Sequence, residues 1–339
     1  MKLWLLPLLL SLSACGGNTG DKILLNYEQR LARVLDTETV SKPWPAIDAL
    51  AAERDLKQPL PDIRLDLRDA YATRQCNLDT LIGERNSSLG KVYSASKLLS
   101  YELRFLAQLE LCLQKRWQDV ALFEQLQQVY VQKQQSIMLA FDNMLLTDDT
   151  LRKELLGIKQ HLLLDEQPGL SETWQALTEL TLLQQFIRQQ NWQAASNIDI
   201  EQQLQLLYRY NVIGKLQYSL RHTEHGLNEL NAMLGQVRQS ELCPGGRDTE
   251  QLQILSNVFR KFFIAQLQRY TVQLGEQQQQ LWPLLQQLYQ HTPLSAPLNA
   301  RFSGSYQAMR AALSDHVNWW QQLNSSCPLQ LTATTRDAT

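Results

Sequence analysis

From Lys22 onward, apolar residues recur at spacings of three and four rather than two, the period of helices with one buried face. Leu24, Tyr27, Leu31 and Leu35 predict a first amphipathic helix. Leu98, Tyr101, Leu103, Phe105, Leu106 and Leu109 predict another from Ser94 to Lys115. Val120, Phe123, Leu126, Tyr130 and Ile137 predict a third from Trp117 to about Met144. Turn-forming runs punctuate the pattern at Lys42-Pro43-Trp44-Pro45, Gln58-Pro59-Leu60-Pro61, Asn86 to Gly90 and Gln167-Pro168-Gly169. Between the first two breaks a short helix ends at Leu56, and after the second a helix runs from about Asp62 to Gly83. Thr147-Asp148-Asp149 caps a helix that ends before Gln167, and Ser171 caps one reaching about Asn191. A helical stretch from Asp199 to Gln239 is broken near Asn211. Asp248-Thr249-Glu250-Gln251 has the form of a capping box and opens a helix that could reach Gln290. The last helix runs from about Ser303 to Asn324. The expectation is an all-α chain of nine or ten helices forming an extended antiparallel bundle, because short turns join long helices. No fixed-period repeat supports a solenoid.

Composition sharpens this reading. The chain holds 65 Leu and 42 Gln against 12 Ile and 11 Val, which favours helix formers over β-branched strand formers. Glutamine replaces charge on much of the polar surface, since Asp, Glu, Lys and Arg make up only 19% of the chain. The 32 basic residues nearly balance 34 acidic ones, which excludes nucleic-acid binding driven by net positive charge.

The first residues follow a different rule. Lys2 precedes an apolar run from Leu3 to Leu12, and Leu12-Ser13-Ala14-Cys15 is followed by Gly16-Gly17-Asn18-Thr19-Gly20. A basic start, a short apolar stretch and small residues before a cut describe a secretory leader. Leu-Ser-Ala-Cys matches the bacterial lipobox, in which Cys15 is lipidated and becomes the new N-terminus. The expected organisation is a signal peptide at 1–14, a lipidated tether at 15–21, a helical body at 22–327 and a flexible tail at 328–339. With Gly16 rather than aspartate after the cysteine, the anchor is expected in the outer membrane, on the periplasmic face.

Four cysteines remain: Cys76, Cys112, Cys243 and Cys327. An even number in an exported chain suggests two disulfides. Three pairings are possible. Cys76–Cys112 with Cys243–Cys327 is favoured because each pair stays in its own half and closes short loops, of 36 and 84 residues. Such loops contribute about 3–5 kcal/mol each in the chain-entropy model. This pairing strains against the long helix from Thr249, whose 42 residues would span about 60 Å. The shorter last helix could return Cys327 to Cys243 only if the long one broke near Gly275 or Pro283.

Candidate chemistry is sparse. His222, His225 and Glu229 fall on one helical face and form a partial metal site, against the plainer reading of a polar face with paired neighbours. His161, His291 and His316 stand isolated along the chain. Ser94-Ala95-Ser96-Lys97 fits S-x-x-K, but K-T-G and S-D-N are absent, so a helix-start serine is preferred. Asp62, Asp66 and Asp69 with Arg64 and Arg68 read as an exposed i, i+4 network. Trp319-Trp320 places one ring in a core and the other at its edge. No P-loop, HExxH or G-x-S-x-G occurs, and no cofactor is expected.

The lipobox, Tyr27-Glu28-Gln29-Arg30-Leu31-Ala32-Arg33-Val34-Leu35, Leu65-Asp66-Leu67-Arg68 and the terminal Trp319-Trp320 with Cys327 together resemble a family of gammaproteobacterial lipoproteins known as a domain of unknown function. The resemblance implies a bacterial source and an envelope location, and it carries over no catalytic residue. Three classes of function follow. The favoured one is a non-enzymatic binding or scaffold lipoprotein, held to the membrane through Cys15 and engaging an envelope protein rather than nucleic acid. The others are a metal-binding envelope protein using His222, His225 and Glu229, and a cell-envelope hydrolase with a site assembled from scattered residues.

Overall fold

A computed structural model describes residues 19–44 and 48–329. The described residues are 76% helical, and the only extended pairing among them is one isolated bridge between Thr19 and Leu163. Among those residues are ten helices of eight or more residues: α1 (Gly20–Leu35), α2 (Leu78–Asn86), α3 (Ala95–Leu113), α4 (Val120–Thr147), α5 (Asp149–Leu156), α6 (Leu170–Arg188), α7 (Ile200–Tyr210), α8 (Val212–Leu234), α9 (250–289) and α10 (295–326). Helical turns at Glu53–Leu56, Leu67–Ala72, Trp192–Ser196 and Gln239–Leu242 raise the total above the nine or ten expected.

The buried face of α1 carries Ile23, Leu24, Tyr27, Leu31 and Leu35, the stripe its period predicts. Tyr27 and Leu31 are fully buried and contribute about 1.5–3 kcal/mol each. Helix α3 is buried on two sides. Leu99, Leu103 and Leu106 join the main apolar core, while Tyr101, Phe105, Leu109 and Cys112 join a smaller one with Leu78, Ile82 and Leu126. Tyr130 of α4 packs against both. Cys76 bonds Cys112 and staples the smaller core; Cys243 bonds Cys327 and ties the start of α9 to the end of α10.

The long helix does not break at Gly275 or Pro283. It runs from 250 to 289 through a π-helical stretch at Phe259–Gln268. Cys327 nevertheless reaches Cys243 because α10 begins at Ser295, eight residues earlier than its pattern suggests, through a second π-helical turn at Ala300–Gly304. The return path therefore matches the outward one more closely. Pro283 is tolerated because the carbonyl it leaves unpaired, that of Gln279, belongs to an exposed residue.

Other departures are local. The cap of α9 is Thr249, whose side chain accepts the Leu252 N–H; Asp248 instead accepts from Gln253. Residues 62–66 are extended rather than helical, so Asp62, Asp66 and Asp69 form no i, i+4 ladder. Asp62 pairs with Arg64 two residues on, Asp66 caps the Leu67–Ala72 turn, and Asp69 accepts from Gln125. Helix α5 stops at Leu156 with Gly157 at φ +85°, leaving 157–169 as a loop. Asn211, in the left-handed region, divides α7 from α8 where the pattern predicts a break.

Candidate functional site

The side chains of His222, His225 and Glu229 share one face of α8, as their spacing requires. That face lines a cleft of ≈400 Å³ with Asp21, Leu24 and Glu28 of α1 and the irregular segment ending in Lys42 and Trp44. Segment and helix are joined at two points. The Lys42 N–H donates to Glu229 Oε1 at 2.9 Å, and the same carboxylate lies 3.2 Å from His225 Nε2. The Trp44 indole stacks on the His225 ring with centroids 4.1 Å apart and planes 21° apart, and lies 4.9 Å from His222. Trp44 remains 49% exposed, so its outer face is open to a partner.

His161, isolated in sequence, is not isolated in space. Its ring meets that of His222 edge-on at 4.4 Å and that of Tyr218 at 5.0 Å. The loop carrying it is fixed by three distant residues. Ser219 Oγ accepts the Leu162 N–H, Tyr270 donates to the Leu162 carbonyl, and Gln273 bonds both Leu163 and Asp165. Gly20 makes the close approach possible, because a Cβ there would sit 2.6 Å from Tyr270 and 2.8 Å from His161.

Burial, with help from the His222 charge, pushes the pKa of His161 down to about 4, and burial also lowers that of His222. Both nitrogens of His161 and Nδ1 of His222 are buried without a hydrogen-bond partner among the described residues. Glu28 is raised, first by burial and then by the Glu229 charge. Burial also pulls Asp21 upward, but a Thr19 hydrogen bond and the His161 charge outweigh it and leave its pKa lowered.

His225 and Glu229 are thus spent on each other, on Lys42 and on Trp44 rather than converging on a common point. Among the described residues no group of three or more His, Cys, Asp or Glu side chains is arranged to hold a metal ion. What the cleft offers is an aromatic roof, mixed charge and two imidazoles.

The remaining candidates have structural explanations. Ser94 caps α3 by accepting the Lys97 N–H, and Lys97 is exposed, so S-x-x-K is a helix start. His316, also isolated in sequence, is fully buried. Trp320 Nε1 lies 3.1 Å from His316 Nε2 and can only donate. Nε2 is therefore the acceptor, and the proton sits on Nδ1, which donates to Asn231 Oδ1 at 3.0 Å. Trp319 lies at the core edge with its N–H on the Leu234 carbonyl. Cys15 and the expected leader lie outside the described residues, as do tether residues 15–18 and tail residues 330–339. No described helix is long and apolar enough to cross a membrane. Trp44 and His161 carry no sequence signal that pairs them with His222; only their distant anchors bring them there.

Residues 24–331 match the model of a family described as a protein of unknown function (DUF3080). No curated protein and no solved structure matches the chain.

Proposed function

The chain belongs to the DUF3080 family, whose description names no activity, and we propose from its own residues that it is a lipid-anchored cell-envelope protein. It faces the periplasm from the outer membrane and works by binding or scaffolding rather than by catalysis. The observation that carries this reading is Leu12-Ser13-Ala14-Cys15 behind a short apolar run. Two disulfides in the body suit an oxidising compartment. The cleft beside Trp44 is lined at the N-terminal end of α1 by Asp21, six residues past Cys15, so an anchored body holds it close to the membrane. An envelope protein is the partner this surface suits, with the half-exposed indole as its contact.

Intact mass of the membrane-extracted protein, before and after reduction and alkylation, tests the proposal. The expected result is a di- or triacylglyceryl increment on a chain beginning at Cys15, lost in Cys15→Ala, with four thiols appearing only after reduction. An unlipidated chain, or four thiols free from the start, would overturn it. For the binding role, in-cell crosslinking from position 44 is expected to trap one defined envelope protein; a chain that traps none would refute that part alone.

A further inference from the structure

The segment from Lys57 to Asp66 is extended and spans the groove between α3 and α4 like a strap. It is pinned at both ends. Asn143, buried in α4, exchanges two hydrogen bonds with the Gln58 backbone at 2.8 and 2.9 Å. At the other end Asn86 of α2 donates to the Leu65 carbonyl at 3.2 Å. Pro59 and Pro61 stiffen the span and remove two N–H donors that would otherwise need partners. Beneath it lies a chamber of ≈530 Å³, within the range of small-molecule sites.

Its lining is divided by chemistry. Leu60 and Ile63 of the strap face Leu98, Ile137 and Ala140 of the two helices. Four cations, Arg64, Arg85, Lys91 and Lys133, share the wall with only two carboxylates, Asp62 and Glu102. Lys133 is 3% exposed; it pairs with Glu102 at 2.5 Å and rests over the Phe105 ring at 4.8 Å. Arg64 pairs with Asp62. The nearby Glu84 is committed to Arg104 and Tyr93. Arg85 reaches the Gly90 carbonyl, and neither it nor Lys91 has a carboxylate partner among the described residues. Two positive charges are therefore left without a paired carboxylate in a chamber whose lining is part polar and part apolar. Arg85 is half-buried and Lys91 is exposed at the rim, and an anion supplied by a ligand would give both a charge-assisted hydrogen-bond partner.

We propose that this chamber binds an amphiphilic organic anion, with a carboxylate or phosphate head held by Arg85 and Lys91 and an apolar body lying between Ile63, Leu98 and Ile137. The site is independent of the lipid anchor and of the Trp44 cleft. Neutral lipids would lack the head contact, and small anions the apolar one.

Equilibrium dialysis of labelled octanoate and labelled octyl phosphate against the full chain in nanodiscs, with empty nanodiscs as baseline, tests it. One saturable site per chain is expected, displaced by unlabelled anion but not by octanol or acetate at equal concentration. Ser136→Trp, which fills the chamber from a half-buried position, and the pair Arg85→Gln with Lys91→Gln should each weaken binding at least tenfold. Circular dichroism and thermal unfolding of the variants would show that the fold is kept. Binding of octanoate alone identifies a carboxylate head, and of octyl phosphate alone a phosphate head. Absence of saturable binding by both, displacement by octanol or acetate as effective as by the anion, or wild-type binding in both folded variants would overturn the proposal.

Discussion

Glu154 lies on α5 with 1% of its surface exposed, and reaches across to the start of α8, where one carboxylate oxygen accepts the Gly214 N–H at 3.2 Å. The other oxygen has no hydrogen-bond partner among the described residues. Burial pushes its pKa from 4.5 up to about 7, against the opposing pull of the helix N–H groups and of Lys153 and Lys215. A carboxylate at a helix N-terminus gains about 0.3–1 kcal/mol, up to about 2 when partly buried; here the desolvation cost is larger. The folded state thus holds this proton more tightly than the unfolded chain. Stability from the group is complete below about pH 4.5 and is lost as pH rises through 7. A displacement of about two and a half pH units, at 1.36 kcal/mol each, corresponds to about 3 kcal/mol. Glu154→Gln keeps an acceptor for Gly214 and removes the charge, at about 1 kcal/mol for an amide N–H left unpaired. The variant should therefore be more stable than the parent by about 1–3 kcal/mol at pH 8, and the gap should close toward pH 4.5. Urea unfolding of both proteins at half-unit steps from pH 4.5 to 8, disulfides intact, measures this difference directly. A gap that stays constant with pH, or a variant less stable at pH 8, would show that the carboxylate is not carrying an uncompensated charge and would refute the reasoning.

Replacing His316 by Leu removes the acceptor that the Trp320 N–H and the Tyr27 hydroxyl share in the core and should cost about 3 kcal/mol at pH 7.5. Burial holds the His316 pKa down at about 3, so its neutral form stabilises the fold above about pH 6.5 and the contribution is lost as pH falls; thermal unfolding at pH 7.5 and 5 should show the His316→Leu deficit shrinking. Gly169 caps α6 at φ +81°, and a Cβ there would lie 2.1 Å from Tyr210; Gly169→Ala should lower stability by about 2 kcal/mol or more in chemical unfolding. Replacing Cys243 and Cys327 by Ser should cost about 2–4 kcal/mol, and dithiothreitol should bring the parent protein down to or below the stability of that variant.

The helices were legible because periodicity reports a buried face without reference to what covers it. The stripe of α1, the start of α3 at Ser94 and the interruption at Asn211 all follow from local pattern, and each is met in the structure. Errors fall where a local signal competes with a distant contact. Helical charge spacing at Asp62, Arg64 and Asp66 is genuine, yet the hydrogen bonds of Asn143 and Asn86 hold that stretch extended. The geometric conflict between the long α9 and its disulfide was also sound in form, but its premise, a short last helix, failed. A π-helical turn let α10 start before the pattern becomes periodic.

The candidate sites were less legible for one physical reason. Each cleft is half helix and half irregular chain, and only the helical half has a period. His222, His225 and Glu229 could be placed on one face by counting, whereas Trp44 above them sits in a segment without repeat, positioned by the Lys42 N–H on Glu229 and by its own stacking on His225. The chamber under the strap shows the same asymmetry. Lys133 lies on α4, and its burial is set by Glu102 and Phe105 of α3 and by the chamber it shares with the strap. A charged residue covered by a non-helical strap leaves no trace in a helical pattern. Both candidate sites thus lie where irregular segments roof the helices rather than where the helices pack on each other.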